Sequence, residues 1–281
     1  ISHVFSLRGP CFTIDTACSS TVVALDCGSQ ALRIGRCKYA VASGVNIQLS
    51  AAIWIGFAKM RGLAHDGNCK TFDAKADGFA RGEGLGSVFL THASSCTAES
   101  APIAMLDGVC TNHDGKAATI TAPNGTAQQR VIRGALGERG TAPDQVSCLE
   151  CHGTGTALGD PIEVGALMAV MAMREFPILK TSAKSNMAHL EASAGMAGFA
   201  KCIMMILASA TPPNVHLKSM NPHLLTEGYP CHFGLEVTPW GQNSGYCGVS
   251  SFGIGGTNAR GEVLGRCQRG HEATGAELND R

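Results

Sequence analysis

Charge and aromatic side chains are scarce in this sequence. Asp, Glu, Lys and Arg make up 16% of its 281 residues, and Phe, Trp and Tyr only 5%. The 22 basic and 22 acidic groups cancel, and no basic block stands out, which argues against broad contact with a nucleic-acid backbone. With 44% apolar residues, the chain is too hydrophobic and too weakly charged for disorder. P-loop, complete G-x-G-x-x-G, H-E-x-x-H and G-x-S-x-G patterns are all missing, so nucleotide binding, zinc-protease and serine-hydrolase chemistry lack support. The opening ten residues show no basic head followed by an apolar core, so no secretory signal is read there.

Glycine and cysteine, by contrast, are plentiful, with 35 and 13 residues. The glycines suggest a tight interior in which backbones approach closely. An odd number of cysteines at these spacings does not describe a small disulfide scaffold, and a reducing compartment is expected. The expected location is cytoplasmic, and a plastid protein whose transit segment is missing would read the same way. Because the sequence starts at Ile1 rather than Met, it reads as a piece of a longer protein.

Along the chain, Cys11–Asp15 reads as a strand running into an apolar helix, Ser19–Ile34, ended by Gly35. Tyr39–Leu49 reads as a buried strand. Residues 66–86 read as a polar, glycine-rich surface loop leading into strand Ser87–Thr91, and residues 92–102 as a linker. Then come strand Ile103–Cys110, helix Gly125–Gly137 and strand Val146–Cys151. Asp160, Pro161 and Glu163 suggest a helix start with Asp160 as N-cap, running to about Met173. Leu190–Ala210 reads as a second apolar helix, and Tyr246–Phe252 and Glu262–Leu264 as closing strands. Part of that second helix, Ala192–Ala210, has borderline length for a membrane span, but Lys201 and its many small residues favour a buried core helix. Strands alternating with helices make the chain α/β.

Four segments could carry chemistry. Cys18 is delivered by a strand to a helix start, where unpaired N–H groups would lower its thiol pKa and make it nucleophilic. The inert alternative is one more buried cysteine among thirteen. His152 ends a strand before the turn residues 153–156, well placed to meet a ligand. The Cys148-x-x-Cys151-His152 spacing also matches haem attachment, a chance match in so cysteine-rich a chain. His189 precedes an apolar helix, flanked by Lys184 and Glu191, and a structural hydrogen-bonding histidine is the bland alternative. Residues 250–258 place several glycines after a strand, suiting backbone N–H groups aimed at a developing oxyanion. A tight structural turn would look alike.

At these residues the chain resembles the β-ketoacyl synthase (ketosynthase) family, particularly the ketosynthases of polyketide synthases. The matching segments, in order, are GPCFTIDTACSS, DGNCKTFDAKADGFARGEG, TAPNGTAQQRVIR, ECHGTGTALGDPIEV, KSNMAHLEASAGMAG, PPNVHL and GVSSFGIGGTNA. The resemblance implies a thiolase-like fold, a layered αβαβα stack whose N-terminal half is incomplete here. Residues 1–95 would be the remainder of that half carrying the nucleophile, 96–264 the C-terminal half, and 265–281 a disordered tail. It implies that Cys18 takes an acyl chain, and that His152 and His189 support malonyl decarboxylation. Lys184 and Glu191 would form a supporting charged network. The N–H groups of Cys18 and Ile254 would make the oxyanion hole, and Thr154 and Thr156 would hold the pantetheine arm. No metal and no cofactor of its own is implied, since phosphopantetheine arrives on the partner acyl carrier protein. A homodimer acting on acyl and malonyl thioesters, in polyketide or fatty acid synthesis, is the expected form. A non-elongating acyl-transfer module and an inactive fragment are the alternatives. Arg260 stands where the motif often has His.

Overall fold

A computed structural model describes residues 2–97, 101–117, 119, 121–240 and 244–266. A 3-10 turn, Ala17–Ser19, leads into α1 (Ser20–Arg33), and β1 (Tyr39–Asn46) and α2 (Ala51–Lys59) follow. Then come β2 (Gly84–Thr91), β3 (Met105–His113), α3 (Gly125–Gly137), β4 (Val146–Glu150), α4 (Gly159–Met171) and β5 (Ile178–Thr181). The short α5 (Lys184–Met187) and the long α6 (Ala194–Ala208) precede β6 (Ala210–Thr211), β7 (Cys231–Phe233), β8 (Thr238–Pro239), β9 (Ser244–Phe252) and β10 (Thr257–Arg266).

Six strands form the central sheet in the order β3-β10-β9-β4-β5-β7. Its β3, β10 and β9 are antiparallel, and β9, β4, β5 and β7 run parallel. Both faces are covered, which is why β4 and β9 read as nearly continuous buried runs. On one face α3 and α4 pack Val131, Ile132, Leu136, Val164 and Leu167 against Leu149. On the other, α1 and α6 bring Leu25, Phe199, Cys202 and Ile206 against Cys148, Cys247 and Val249. The antiparallel pair β1–β2 then lies over α1 and α6 as a further layer. Gly86 on β2 lets these layers close, because a Cβ there would strike the Met196 side chain. The described layers therefore run β, α, β, α. The chain is α/β with stacked layers, and α6 is a core helix between two sheets.

Several expectations need correction. Residues 11–15 form no strand, because no neighbouring strand offers them hydrogen bonds among the described residues. β1 is not buried: its inward Ala42 and Gly44 are covered, whereas Tyr39, Val41 and Val45 are exposed on the outer face. The expected surface loop at 66–86 is surface only in part: Asp66, Ala74, Lys75, Asp77 and Glu83 are exposed, but Cys69, Thr71, Phe72 and Asp73 between them are buried. Its backbone is satisfied by bridges such as Arg81 to His189 and Asp73 to Met220. Asp160 lies inside α4 rather than capping it. Its carboxylate accepts from the N–H groups of Phe72 (2.8 Å) and Gly155 (3.1 Å), tying that loop to the helix. Helix α2 and strands β5 and β7 had no clear sequence signal. Gly265 and Arg266 complete β10, and the rest of the expected tail lies outside the described residues.

Arg260 and Glu262 form a fully buried ion pair on β10, at 2.7 Å, and Arg260 Nη1 donates to Ser250 Oγ at 2.9 Å. The guanidinium lies across Gly248, where a Cβ would land on it. Gly248→Ala is therefore expected to cost about 3 kcal/mol, the scale for overpacking or breaking a buried pair. Gly137→Ala, which meets open space at the end of α3, is expected to be neutral or stabilising by about 0.5 kcal/mol. Urea unfolding midpoints of the two variants check this contrast.

Candidate functional site

Cys18 sits on a strained elbow. Ala17 just before it has φ +55°, in the left-handed region that side chains avoid. The bend is held locally: Asp15 Oδ1 accepts from Ala17 N–H at 3.0 Å, and Ser20 Oγ from Thr16 N–H at 2.9 Å. Ser251 Oγ donates to the Cys18 carbonyl at 2.6 Å, so β9 grips the elbow from the other side. The 14-residue α1 begins two residues later.

Two imidazoles converge on this thiol from different parts of the chain. His189 Nε2 is 3.1 Å from Cys18 Sγ, and the His152 ring stands nearly perpendicular to the His189 ring, centroids 5.7 Å apart. Each histidine has its far nitrogen occupied. The Glu191 N–H donates to His189 Nδ1 at 3.0 Å, and the Phe252 N–H to His152 Nδ1 at 3.3 Å. An Nδ1 that accepts a backbone proton is bare, so in the neutral ring the proton is on Nε2. Both rings thus present Nε2–H donors on the side of the cavity.

The loop carrying His152 is held from below by α4. Glu163 accepts from the N–H groups of His152 (2.7 Å) and Gly153 (2.8 Å). Burial pushes the Glu163 carboxyl up to about 7 and that of Asp160 up to about 6, against the pull of these N–H donors. Burial, reinforced by Lys184, drives both imidazoles well below their usual value. They remain neutral as pH falls through 6.5. Their contribution to stability is therefore full above that pH and is lost below it, where the unfolded chain takes up protons. The two carboxyls act with the opposite sign: holding them ionised costs stability above their folded values, and acid removes that cost.

The cysteine itself departs from expectation. A helix start was expected to lower its pKa, yet burial outweighs that and pushes the thiol up to about 11. Lys184 and the N–H groups of Ile254 and Cys18 pull the other way without prevailing. The resting group is a neutral thiol with anion-stabilising dipoles already in place around it.

The remaining expected residues gather here as well. Thr154 and Thr156 line the cavity with hydroxyls 3.1 Å apart. Lys184 is buried beside the histidines. Glu191, however, pairs with Arg81 rather than with Lys184, through two guanidinium nitrogens. Arg81 stacks over Trp54 and Phe57 at 4.7 and 5.4 Å and was not singled out from the sequence. Its only signal was membership of the long motif at 66–84.

A cavity of about 260 Å³ opens onto Cys18 and both histidines. Its lining includes the apolar Phe57, Met60 and Phe79 and the hydroxyl-bearing Thr121, Thr154 and Thr156. The ligand atoms of Cys18, His152 and His189 lie within 4.8 Å of one another, close enough to be tested as a metal site. The donor set fits poorly, since both Nε2 atoms carry protons and both Nδ1 atoms are committed to backbone. The haem-attachment spacing fails too, because Cys148 and Cys151 are buried in the sheet.

Residues 1–95 match the family described as beta-ketoacyl synthase, N-terminal domain, and residues 103–218 its C-terminal domain. The chain is 41% identical over 263 residues to erythronolide synthase EryA2 of Saccharopolyspora erythraea, covering 92% of this chain and 7% of that protein. It is 42% identical over 265 residues to the spectinabilin polyketide synthase system protein NorA' of Streptomyces orinoci, again covering 92% of this chain and 7% of that protein. Among solved structures it resembles the ketosynthase from module 6 of the bacillaene synthase of Bacillus subtilis 168. The TM-score there is 0.91 at 33% identity, covering 94% of this chain and 49% of that one. The oxazolomycin ketosynthase domain OzmH KS7 of Streptomyces albus JA3453 gives the same score, with 95% and 48% covered. The chain thus spans about half of the solved ketosynthases and a small part of the curated synthases.

With the thiol at about 11, thiolate is a small fraction throughout the neutral range. Alkylation of Cys18 by iodoacetamide is expected to rise about tenfold per pH unit from 8 to 10 with no plateau near 9. Lys184→Met should slow it at any fixed pH. Mass-spectrometric alkylation rates at Cys18 decide both points.

Proposed function

Because the chain belongs to the beta-ketoacyl synthase family, we propose that its site carries out decarboxylative Claisen condensation, joining an acyl chain held on Cys18 to a malonyl unit held on an acyl carrier protein. The observation that carries this reading is the pair of neutral imidazoles whose Nε2–H groups face the cavity at one thiol.

In the first half-reaction, Cys18 Sγ attacks the carbonyl of an acyl-pantetheine thioester. The oxyanion that develops is met by the N–H groups of Cys18 and Ile254, which already act on the sulfur. Collapse forms the Cys18 thioester and breaks the bond to the pantetheine sulfur, which leaves as a thiol with the proton that Cys18 gave up. Neither imidazole is arranged to take that proton, because Nε2 already carries one.

In the second half-reaction a malonyl thioester occupies the same cavity. Loss of CO₂ leaves an enolate whose oxygen accepts from His152 Nε2–H and His189 Nε2–H. Neutral donors suit this step, since an imidazolium would protonate the carbanion instead of stabilising it. Lys184, which disfavours a positive charge on either ring, keeps them in that state. The enolate carbon then attacks the Cys18 thioester, forming the carbon–carbon bond and breaking the carbon–sulfur bond; the thiolate released takes a proton from water and returns to the resting thiol. The carbanion comes from CO₂ loss, so the step draws on no cofactor of the chain's own. Thr154 and Thr156 line the cavity, and their hydroxyls, bonded to each other, keep capacity for a further bond to the pantetheine arm. The relatives favour polyketide chains over fatty acids as the product.

Cys18→Ala is expected to abolish a single acyl adduct seen by intact mass after incubation with an acyl-pantetheine thioester. His152→Ala should keep the adduct while lowering CO₂ release from malonyl-pantetheine by about 10²-fold, the usual scale for one lost oxyanion donor. His189→Ala should do the same to decarboxylation. Undiminished condensation in either histidine variant would overturn the assigned roles.

A further inference from the structure

Most polar groups on the cavity wall are already used. Both oxygens of Asp160 and of Glu163 accept backbone N–H groups. Asn258 Nδ2 donates to Asn112 and to Asp114, and the Thr154 and Thr156 hydroxyls bond each other. Gln128 is different. It lies on α3, lines the same cavity and is 1% exposed. Its Oε1 is buried with no hydrogen-bond partner among the described residues. The helix backbone on either side is well anchored: Gln128 N–H donates to the Asn124 carbonyl, and Asn112 Nδ2 to the Ala127 carbonyl. The side chain thus rises from an anchored backbone, and its Oε1 meets no donor among the described residues.

A buried acceptor left unpaired lowers stability by more than an ordinary hydrogen bond adds. Its retention in the wall of a reactive cavity indicates a partner that arrives with substrate. That partner must bring a hydrogen to Oε1. A malonyl carboxylate, a thioester carbonyl and a β-keto group have none to give. An amide N–H does, and the pantetheine arm carries two secondary amides whichever acyl group it bears. The wall supports the same choice. Gln128 lines the cavity together with Thr154 and Thr156, and Phe57, Met60 and Phe79 add apolar lining suited to an acyl chain.

We propose that Gln128 is a positioning residue for the pantetheine arm, its Oε1 accepting an amide N–H of the arm and its Nε2 left to donate to an amide carbonyl. The inference rests on the condensing-enzyme reading and adds to it the group that registers the arm's depth before the thioester meets Cys18.

The test compares two donors of the same acyl group, an acyl-pantetheine thioester and an acyl alkyl thioester with no amide, by the rate of adduct formation on Cys18. Wild type should load the pantetheine thioester at the lower KM. Gln128→Leu should raise that KM about tenfold, change kcat little and leave the alkyl thioester unaffected. Gln128→Glu, which keeps an acceptor at the same reach, should restore part of the difference. Removing an unpaired polar group should also raise the thermal midpoint of the free Gln128→Leu protein, whereas loss of a structural glutamine would lower it. Equal slowing of both thioesters, or a lowered midpoint, would overturn the proposal in favour of a structural role. An effect confined to β-hydroxyacyl donors would overturn it by moving the contact to the acyl chain. If wild-type Cys18 accepted neither thioester, the condensing reading itself would fall, an outcome separate from any effect of Gln128.

Discussion

Two backbone N–H groups, those of Glu191 and Phe252, decide what this site can do. Each donates to the Nδ1 of a histidine and so fixes the proton on Nε2. Reverse either hydrogen bond and the ring would offer the cavity a lone pair, suited to a base or a metal ligand. As built, both rings offer donors, which is what an enolate or an oxyanion needs. Much of the surrounding structure serves to keep those two amides and rings in register. Glu163 holds the strand end at His152 and Gly153, the bridge from Arg81 holds His189, and the Arg81 guanidinium holds the Glu191 side chain.

Burial supplies the second constraint, and it pushes the thiol, the two imidazoles and the two α4 carboxyls in the direction of neutrality. The thiol rises, the imidazoles fall and the two α4 carboxyls rise. A neutral thiol facing two neutral imidazoles stays unreactive until a substrate brings polarity to it. The dipoles that would stabilise a charge are present beforehand, so no protein reorganisation is needed when charge develops on the substrate. That ordering explains why a thiol at about 11 is compatible with nucleophilic chemistry. The sulfur is not stored as an anion in the resting state, and in the proposed loading step its proton would leave with the departing thiol.

The parts of this arrangement carried by contiguous motifs were legible in the sequence. Cys18, His152 and His189 each sit beside a strong element boundary, and the glycine-rich turn containing Ile254 follows a clear strand. Helix α3 was read to the residue because its Asn124 cap and its apolar spacing agree. Residues whose roles depend on distant partners were not legible. Arg81 acts through Glu191, 110 positions away, and Gln128 is notable only for an Oε1 without a partner among the described residues, which no local pattern reveals. Asp160 was misread for a related reason: its spacing suits a helix cap, but the buried N–H of Phe72, 88 residues earlier, claims the carboxylate. The segment at 66–84 looked like surface because it is polar and glycine-rich. Asp66, Lys75, Asp77 and Glu83 are indeed exposed, but Thr71 and Asp73 are buried with their polar groups satisfied internally, which composition did not reveal. The expected strand at 11–15 failed because a strand's hydrogen bonds belong to its neighbours as much as to itself.

Strain shows the same dependence from the energetic side. Ala17, Ala188 and Glu191 all have positive φ, and they flank Cys18 and His189. Such conformations cost on the order of 1–3 kcal/mol each in non-glycine residues and persist only where surrounding contacts over-determine them. Here those contacts can be named. The elbow at Ala17 is tied by Asp15, Ser20 and Ser251. The turn around His189 is tied by Ala80, which accepts its N–H, and by Gly82, which donates to its carbonyl. The partly buried segment at 66–84 is therefore more than a cover for the core. By forming a strand-like bridge to His189 it holds a backbone that local propensity would release, and with that backbone the N–H that fixes the His189 tautomer. A change at Ala80 or Gly82 would act on the chemistry through that one proton, without touching substrate.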